Sequence, residues 1–417
     1  YKRQELYRWY AAHPEAGIPA ETYRKAAFLR CADGVIGRSA ASALYGDTLK
    51  NSATRLEKYA ACAFAHFMEF GLQIRERDQY ELKAADMGTV MHEALEKFSK
   101  KLQENGETWK TVGDDTRDRL IEECVEETMA DYGNTIFQSS SRNQYRIIRV
   151  KRILKRTVWA LQQQIRQGEF EPGEFEVSFS MEDSLSAINI DLSEHEKMRL
   201  RGRIDRVDLC ETDDKVYVKI IDYKTGNTSL DLVALYYGLQ LQLAVYLDAA
   251  VELEQKKHPG KLVEPAGVFY YHIDDPILDQ EEDETDEAWG RRMLKALRMD
   301  GLVNADRKVV ELLDRVLADG TTSDVIPVGK KKDGSYTGYS KVASSEQFNV
   351  IRTYTRKKVR EIGEGIFSGN VKISPFQRDG ATACAYCEYQ GICGFDQKIQ
   401  GYEYLSLIHI SEPTRLR

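Results

Sequence analysis

The chain has 417 residues, of which 42% are hydrophobic, and a formal net charge of −8. This length is enough for two or three compact units with hydrophobic cores. No run of about 18 apolar residues could span a membrane and the first residues lack the apolar centre of a signal peptide, so we expect a cytoplasmic protein that is not membrane-bound.

The first part of the chain has mainly helical periodicity. The chain begins at Tyr1 in mid-pattern, so we expect it to be a fragment of a longer protein. Apolar residues then recur at helical spacing, which predicts helices over residues 51–72, 86–106, 114–131 and 142–167. The first is capped by Ser52 or Thr54 and ended by Gly71. The second buries the stripe Val90, Ala94, Leu95 and Phe98.

The fourth predicted helix contains the basic run RIIRVKRILKR (146–156). Four of its residues share roughly one helix face by spacings of three and four, namely Arg149, Arg152, Lys155 and Arg156. Together with IRTYTRKKVR (351–360) and GKKK (329–332), this face is a candidate surface for tracking phosphates of DNA, although a solvated helix face is the simpler alternative.

From residue 174 the period changes to 2, which is typical of strands. Strands rich in β-branched and aromatic residues are predicted over residues 174–180, 186–192, 197–209 and 215–224. Their short connections indicate a meander. A helix over 230–254 and a strand over 265–273 follow, and this order predicts an α/β fold with one central mixed sheet flanked by helices.

The third and fourth strands form a hairpin if the chain turns on Asp213 and Asp214. That register places Asp205 directly opposite Asp222, where two like charges destabilise a sheet unless a cation lies between them. The pair therefore predicts a site for Mg²⁺ or Mn²⁺, which prefer oxygen ligands. Lys224 lies on the face of Asp222 and could orient or deprotonate a water that attacks a metal-bound phosphate.

The same register places Asp208 opposite Lys219 on the other face of the hairpin. Opposite charges in directly opposed positions stabilise a sheet. We therefore predict an ordinary cross-strand ion pair there.

Three of the seven cysteines, Cys384, Cys387 and Cys393, cluster near the end of the chain. Their C-x2-C-x5-C spacing is typical of zinc and iron–sulfur sites, both of which usually need four ligands. Spacing alone leaves the fourth ligand open between a histidine and the remaining cysteines Cys31, Cys62, Cys124 and Cys210.

Several ordered motifs resemble one family of nucleases. GRIDRVD (202–208), IIDYKTG (220–226) and QLAVY (242–246) resemble the successive motifs of the PD-(D/E)xK nuclease superfamily in its RecB-like branch. Within that branch, SATRLEKYAACAF, MGTVMHEALEKF and CAYCEYQGIC resemble the nucleases of AddAB-type helicase–nuclease complexes. The resemblance covers roughly residues 52–396 and implies a restriction-endonuclease-like core.

The resemblance also implies roles for single residues. Metal ligation is implied for His92, Glu176, Asp205 and Asp222, and catalysis for Asp205, Asp222, Lys224, Gln242 and Tyr246. It further implies that Cys62 joins the C-terminal trio to hold a [4Fe-4S] cluster, although Ala63 stands where the family usually has proline. A nuclease domain over 51–400 would then follow a helicase-like remnant over 1–50.

The implied function is a metal-dependent DNA exonuclease domain that acts in double-strand break repair and recombination. The sequence has no GxxxxGK[ST] motif, so an AddA-like partner chain is expected to form a heterodimer with it and to supply the ATP-driven motor. One alternative is a stand-alone iron–sulfur exonuclease of the CRISPR-associated type, against which the chain length argues. Another is a DNA-binding scaffold with structural zinc and inert carboxylates.

The last stretch, LSLIHISEPTRLR (405–417), has no helix caps and no partner segment. It resembles the translated read-through of a sequencing adapter. We therefore expect this tail to be non-native and exclude it from the predicted fold.

Overall fold

The computed structural model describes residues 9, 12–13, 34–75, 84–131, 140–179, 185, 188–279, 284–399 and 401–406. The chain forms two compact units. The smaller unit comprises residues 1–47, 58–76 and 362–417, and the larger unit comprises 48–57 and 77–361.

A run of helices is followed by a run of strands, and helices and strands then alternate over residues 262–367. The helices are α1 (Arg38–Tyr45), α2 (Ala53–Ala61), α3 (Ala63–His66), α4 (Ala84–Glu104), α5 (Asp114–Asp131), α6 (Ser141–Gln167), α7 (Leu232–Tyr237), α8 (Gln242–Lys257), α9 (Asp286–Ala296), α10 (Arg307–Leu313), α11 (Ser345–Phe367) and α12 (Gln390–Cys393). The strands are β1 (Thr48–Asn51), β2 (Glu171–Phe179), β3 (Asn189–Asp191), β4 (Lys197–Leu200), β5 (Gly202–Glu211), β6 (Lys215–Lys224), β7 (Leu262–His272), β8 (Asp300–Asn304), β9 (Val342–Ala343), β10 (Phe376–Arg378), β11 (Ala381–Thr382) and β12 (Leu405–Ser406). A π-helical turn, Phe67–Gly71, follows α3.

The larger unit contains a six-stranded mixed sheet with the strand order β2-β5-β6-β7-β8-β9. Strand β5 pairs antiparallel with both β2 and β6, whereas β6 and β7 are parallel. The N–H of Thr212 donates to the carbonyl of Lys215 over 2.8 Å, so the hairpin turns on Asp213 and Asp214. The predicted α/β class and the predicted hairpin register are therefore confirmed.

The predicted meander is wrong, because β2 pairs with β5 and the strands between them belong to another sheet. Strand β4 lies between β1 and β3 in a three-stranded sheet. The predicted strand over 197–209 is divided at Arg201, whose N–H donates to the carbonyl of Asn51 over 2.7 Å. A single strand cannot bond to both sheets, so the chain changes sheets there.

The predicted helices over 86–106, 114–131 and 142–167 are confirmed by α4, α5 and α6, and the predicted stripe of α4 is fully buried. The predicted helix over 230–254 is wrong as one element. It is interrupted at Gly238, whose left-handed backbone (φ 83°) ends α7 as a glycine C-cap. Within the described part of the chain, no helix is long and apolar enough to cross a membrane.

The predicted helix over 51–72 is also wrong as one element, because the backbone of Cys62 is extended (φ −166°, ψ 113°). The N–H of Phe64 donates to the carbonyl of Lys372 over 3.2 Å, which diverts it from helical pairing. Ser52 does cap α2, since its Oγ accepts the N–H of Arg55 at 3.3 Å. The helix is therefore interrupted at Cys62, which is the N-cap of the next helix, α3.

The predicted pair of Asp208 and Lys219 is confirmed. Lys219 Nζ lies 2.7 Å from Asp208 Oδ2, and Arg206 donates to both oxygens of the same carboxylate. All three side chains are almost completely buried. They form a closed ion cluster within the unit.

The predicted ends of the nuclease region stay predictions. Residue 50, the predicted end of the helicase-like remnant, lies in β1, which pairs with β4. At the other end, Leu405 and Ser406 form β12 beside β10. The rest of the predicted tail, 407–417, lies outside the described residues.

Candidate metal centre and catalytic site

Three carboxylates occupy adjacent positions on three neighbouring strands. The residue pairs on either side place Glu176 of β2 across from Asp205 of β5. The β5–β6 ladder ends at Arg206 and Ile221, and the same register places the preceding residue, Asp205, opposite Asp222. Directly opposed residues point to the same face of a sheet. The sheet therefore presents a row of three acids, anchored by the N–H of Tyr223, which donates to Asp205 Oδ2 at 2.8 Å.

His92 of α4 extends this row. Its Nδ1 lies 3.4 Å from Asp205 Oδ2, and ligand atoms of His92, Glu176 and Asp205 all lie within 4.8 Å of one another. Burial disfavours the imidazolium, but the hydrogen bond to Asp205 and the nearby acids outweigh burial and raise the pKa of His92. The structure thus brings together three of the four predicted metal ligands most closely, with Asp222 adjacent.

Glu176 is held in an unusual backbone conformation. Its φ of 51° lies in the left-handed region, which a non-glycine residue rarely adopts within a strand. Its side chain is buried and forms an ion pair with Arg203. Burial raises the pKa of Glu176 to about 7, and the negative charge of Asp205 adds to the effect. This strain and this pKa are typical of a residue positioned for function.

Asp222 is held by a polar network that includes the other predicted catalytic residues. Gln242 Nε2 donates to Asp222 Oδ1 at 2.8 Å and to Tyr246 Oη at 3.2 Å. Lys224 Nζ lies 2.5 Å from Asp222 Oδ2 and donates to Gln242 Oε1 at 3.0 Å. Burial, followed by repulsion from Asp205, raises the pKa of Asp222 to about 6.

This set of donors fits a hard divalent cation. Carboxylate oxygens suit Mg²⁺ and Mn²⁺, and the site offers three carboxylate groups beside one imidazole. The raised pKa values of Glu176 and Asp222 reflect negative charges that are buried close together. A divalent cation would offset those charges, whereas Arg203 and Lys224 balance them only from the two ends of the row.

Glu57 is a site residue that sequence reasoning missed. This residue of α2 accepts the N–H groups of Leu241 at 2.6 Å and Gln242 at 3.0 Å, so it caps the first turn of α8. Burial raises the pKa of Glu57 to about 7. No local sequence pattern predicts this capping role, because Glu57 lies 184 residues before Leu241 in the chain.

The four predicted cluster cysteines meet in the smaller unit. Cys62, Cys384, Cys387 and Cys393 line one small cavity. Four thiols around one cavity match the four-ligand sets of both zinc and iron–sulfur sites.

The other cysteines do not line this cavity. Cys124 and Cys210 are buried in the hydrophobic core of the larger unit. Cys31 lies outside the described residues. Of the described candidates, Cys62 alone shares the cavity with the C-terminal trio.

The predicted basic face of α6 is largely neutralised within the fold. Arg152 and Arg156 both pair with Asp275, at 2.6 and 3.5 Å, and Lys155 pairs with Glu122. Arg149 is exposed. The role of this face in DNA binding stays a prediction, and its paired charges weaken it.

The chain matches a known family over most of its length. The model of the PD-(D/E)XK nuclease superfamily matches residues 50–394. This range includes the row of carboxylates and the four cysteines described above.

Individual relatives extend the comparison. The chain is 43% identical over 412 residues to the B subunit of the ATP-dependent helicase/deoxyribonuclease of Lachnoclostridium phytofermentans, covering 97% of this chain and 34% of that protein. It is 38% identical over 404 residues to the protein of the same name from Alkaliphilus metalliredigens, covering 97% and 35%. The chain thus spans about a third of the length of these relatives.

Proposed function

The chain belongs to the PD-(D/E)XK nuclease superfamily, and from this we propose that its row of acids is a metal-dependent site for hydrolysis of DNA phosphodiester bonds. The observation that carries the proposal is the adjacency of Glu176, Asp205 and Asp222 on three strands. His92 lies beside Asp205, and Lys224 lies beside Asp222. A merely structural row of acids would not need a lysine held at its end by a dedicated glutamine.

The residues of this site have two roles, ligation of the metal ion and stabilisation of charge on the phosphate. His92, Glu176, Asp205 and Asp222 would hold the cation, which we propose to be Mg²⁺ or Mn²⁺. When bound, the cation polarises the phosphate and lowers the pKa of a bound water. Lys224, fixed between Asp222 and Gln242, holds a positive charge where charge develops on the phosphate. Tyr246 anchors the amide of Gln242 in this orientation.

We further propose that the chain is the nuclease region of a helicase–nuclease complex. Support comes from the relatives named as B subunits of an ATP-dependent helicase/deoxyribonuclease, of which the chain covers about a third. An AddA-like chain would be its partner and would feed it a DNA strand in the cytoplasm. The cut strand would serve double-strand break repair and recombination, with the chain acting as an exonuclease.

The cysteine cavity supports a [4Fe-4S] cluster held by Cys62, Cys384, Cys387 and Cys393. Such a cluster would join segments 58–76 and 362–417 of the smaller unit. Closing so large a loop restricts the unfolded chain, so the cluster would act as a structural element.

A nuclease assay on single-stranded DNA with Mg²⁺ tests the catalytic proposal. Wild type should cut, and Asp222→Ala and Lys224→Ala should lose activity. If both variants cut as fast as wild type, the site assignment fails. A wild-type protein that binds DNA without cutting it, and that contains one zinc ion in place of iron, would favour the non-catalytic scaffold.

A further inference from the structure

Two tyrosine rings stack at the surface of the larger unit, one of them on the segment that follows strand β6. Tyr236 of α7 and Tyr354 of α11 have ring centroids 5.2 Å apart and planes inclined by only 8°. The hydroxyl of Tyr354 donates to the carbonyl of Tyr236 at 2.7 Å, which fixes the pair. The ring of Tyr237 also packs against Tyr236, with centroids 5.1 Å apart and planes at 89°. Tyr236 is nevertheless 46% exposed, so part of its ring surface stays open to solvent.

Apolar side chains continue this surface on both helices. Leu232, four residues before Tyr236, is 49% exposed, and Val350, four residues before Tyr354, is 57% exposed. Residues four apart lie on one helix face. Each helix therefore presents an exposed aliphatic–aromatic pair, and exposed apolar groups arranged in this way are typical of binding surfaces.

The charge beside the stack is positive. Lys358 Nζ lies 5.6 Å over the ring of Tyr354. Lys357 and Lys358 both pair with the single acid Glu361, at 3.9 and 2.8 Å, which leaves a surplus positive charge. An aromatic surface with a cation at its edge suits a ligand that has both flat rings and negative charge, as a nucleotide does.

The stack also stands close to the catalytic residues along the chain. Helix α7 lies in the connection between Lys224 and Gln242. Gln240 ties the residues on either side of α7 together, because its Oε1 accepts the N–H of Asp231 and its Nε2 donates to the carbonyl of Ser229, both at 3.0 Å. A ligand held by Tyr236 is thereby held on the same short segment as the catalytic lysine and glutamine.

We propose that Tyr236, Tyr354 and Lys358 form a tyrosine platform on which a base of the single-stranded DNA substrate stacks. The inference rests on the proposed nuclease function and adds the path of the strand to it. Stacking on the exposed ring surface of Tyr236 requires an unpaired base, and the lysines meet the adjacent phosphate. The platform would thus select a frayed or unwound strand over intact duplex.

Binding of a fluorescent oligothymidine, measured by anisotropy in EDTA so that no cleavage occurs, tests the platform. Because Tyr236→Ala removes the ring on which the base stacks, it should weaken binding about tenfold, whereas Tyr236→Trp should bind as tightly as wild type. The control is Val316→Ala, which removes a 67% exposed apolar side chain of the larger unit outside the basic segments and should leave affinity unchanged.

A second arm compares two ligands on the same protein, and its wild-type measurement does not depend on how a variant folds. Wild type should bind an abasic oligonucleotide about tenfold more weakly than oligothymidine, and Tyr236→Ala should bind the two equally. If Tyr236→Ala keeps wild-type affinity for oligothymidine, or if wild type binds both ligands equally, the platform does not bind bases. Its apolar surface would then be a docking face for a protein.

The proposed nuclease function fails independently of this result. Wild type that binds oligothymidine through Tyr236 but does not cut it with Mg²⁺ would refute the catalytic proposal and leave the platform standing. Cleavage by wild type together with unchanged binding by Tyr236→Ala would do the reverse.

Discussion

Gln242 Nε2 donates a 2.8 Å hydrogen bond to Asp222 Oδ1, although the two residues lie on different elements, α8 and β6. Through its other amide atom Gln242 accepts from Lys224 Nζ. One side chain therefore sets the positions of both an acid and a cation. Catalysis is sensitive to such positions, since an error of about 1 Å can cost about 10²-fold in rate.

Gln242→Ala should therefore lower kcat by about 10²-fold while KM for DNA changes little, because the positions of Asp222 and Lys224 relax while DNA contacts persist. Steady-state cleavage of single-stranded DNA with Mg²⁺ measures both constants. Gln103→Ala, at an exposed position of α4, is the control. A variant with normal kcat and a raised KM would assign Gln242 to DNA binding instead.

Glu57→Ala should destabilise the larger unit by about 1–3 kcal/mol, because two N–H groups at the start of α8 lose their acceptor. Glu57→Gln should cost less, since an amide oxygen can still accept. Urea denaturation of both variants measures the difference, with the exposed Glu104→Ala as control. Equal stability of Glu57→Ala and wild type would contradict the capping role.

The metal-free protein should lose stability as pH rises from about 4.5 to about 7. Glu57 and Glu176 have pKa values raised to about 7 and Asp222 to about 6, chiefly by burial. In that window the folded chain binds more protons than the unfolded chain, so the free energy of unfolding falls with pH.

Mg²⁺ should oppose this loss, because it binds the deprotonated carboxylates and so gains affinity with pH. Melting temperatures in EDTA and in Mg²⁺, at pH values near 5.5 and 7.5, provide the comparison. The prediction fails if the Tm in EDTA rises from pH 5.5 to 7.5, or if the increase in Tm caused by Mg²⁺ becomes smaller over this range. Either result would show that positive groups of the protein already balance the charge of the acids.

Asp208→Ala should destabilise the larger unit by about 3–5 kcal/mol, because it leaves Arg206 and Lys219 buried without their counter-charge. Denaturant unfolding measures this cost. Asp213→Ala, in the exposed hairpin turn, should change the free energy of unfolding by less than about 0.5 kcal/mol. Similar values for both variants would mean that the cluster is compensated elsewhere.

Cys62→Ser should lose bound iron and lower the Tm of anaerobically purified protein, because three cysteines leave one iron without its thiolate. Iron content, brown colour and thermal melting are the measurements. Cys210→Ala, a buried cysteine outside the cavity, should keep its iron. Iron loss in the control together with retention in Cys62→Ser would overturn the choice of ligand.

The carboxylate pair could be predicted from sequence because a two-residue turn fixes every opposed position of a hairpin. Local chemistry could also have identified the end of α7, since Gly238 follows two tyrosines at a typical C-cap position. No local sequence feature predicts the helix break at Cys62, where the N–H of Phe64 donates to the distant carbonyl of Lys372. The cap by Glu57 and the separate sheet of β1, β3 and β4 likewise depend on pairings far apart in the chain.

The row of acids also dictates an order of assembly. Asp205 and Asp222 lie on one tight hairpin, and a contact so local closes early because its loop entropy is small. Glu176 joins the row only when β2 pairs with β5, and this pairing closes a loop that contains β3 and β4. His92 joins the row only when α4 packs on the sheet. On this reasoning the two repelling carboxylates of the hairpin come together before Glu176 and His92 join them, so the row is completed only when these distant segments pack.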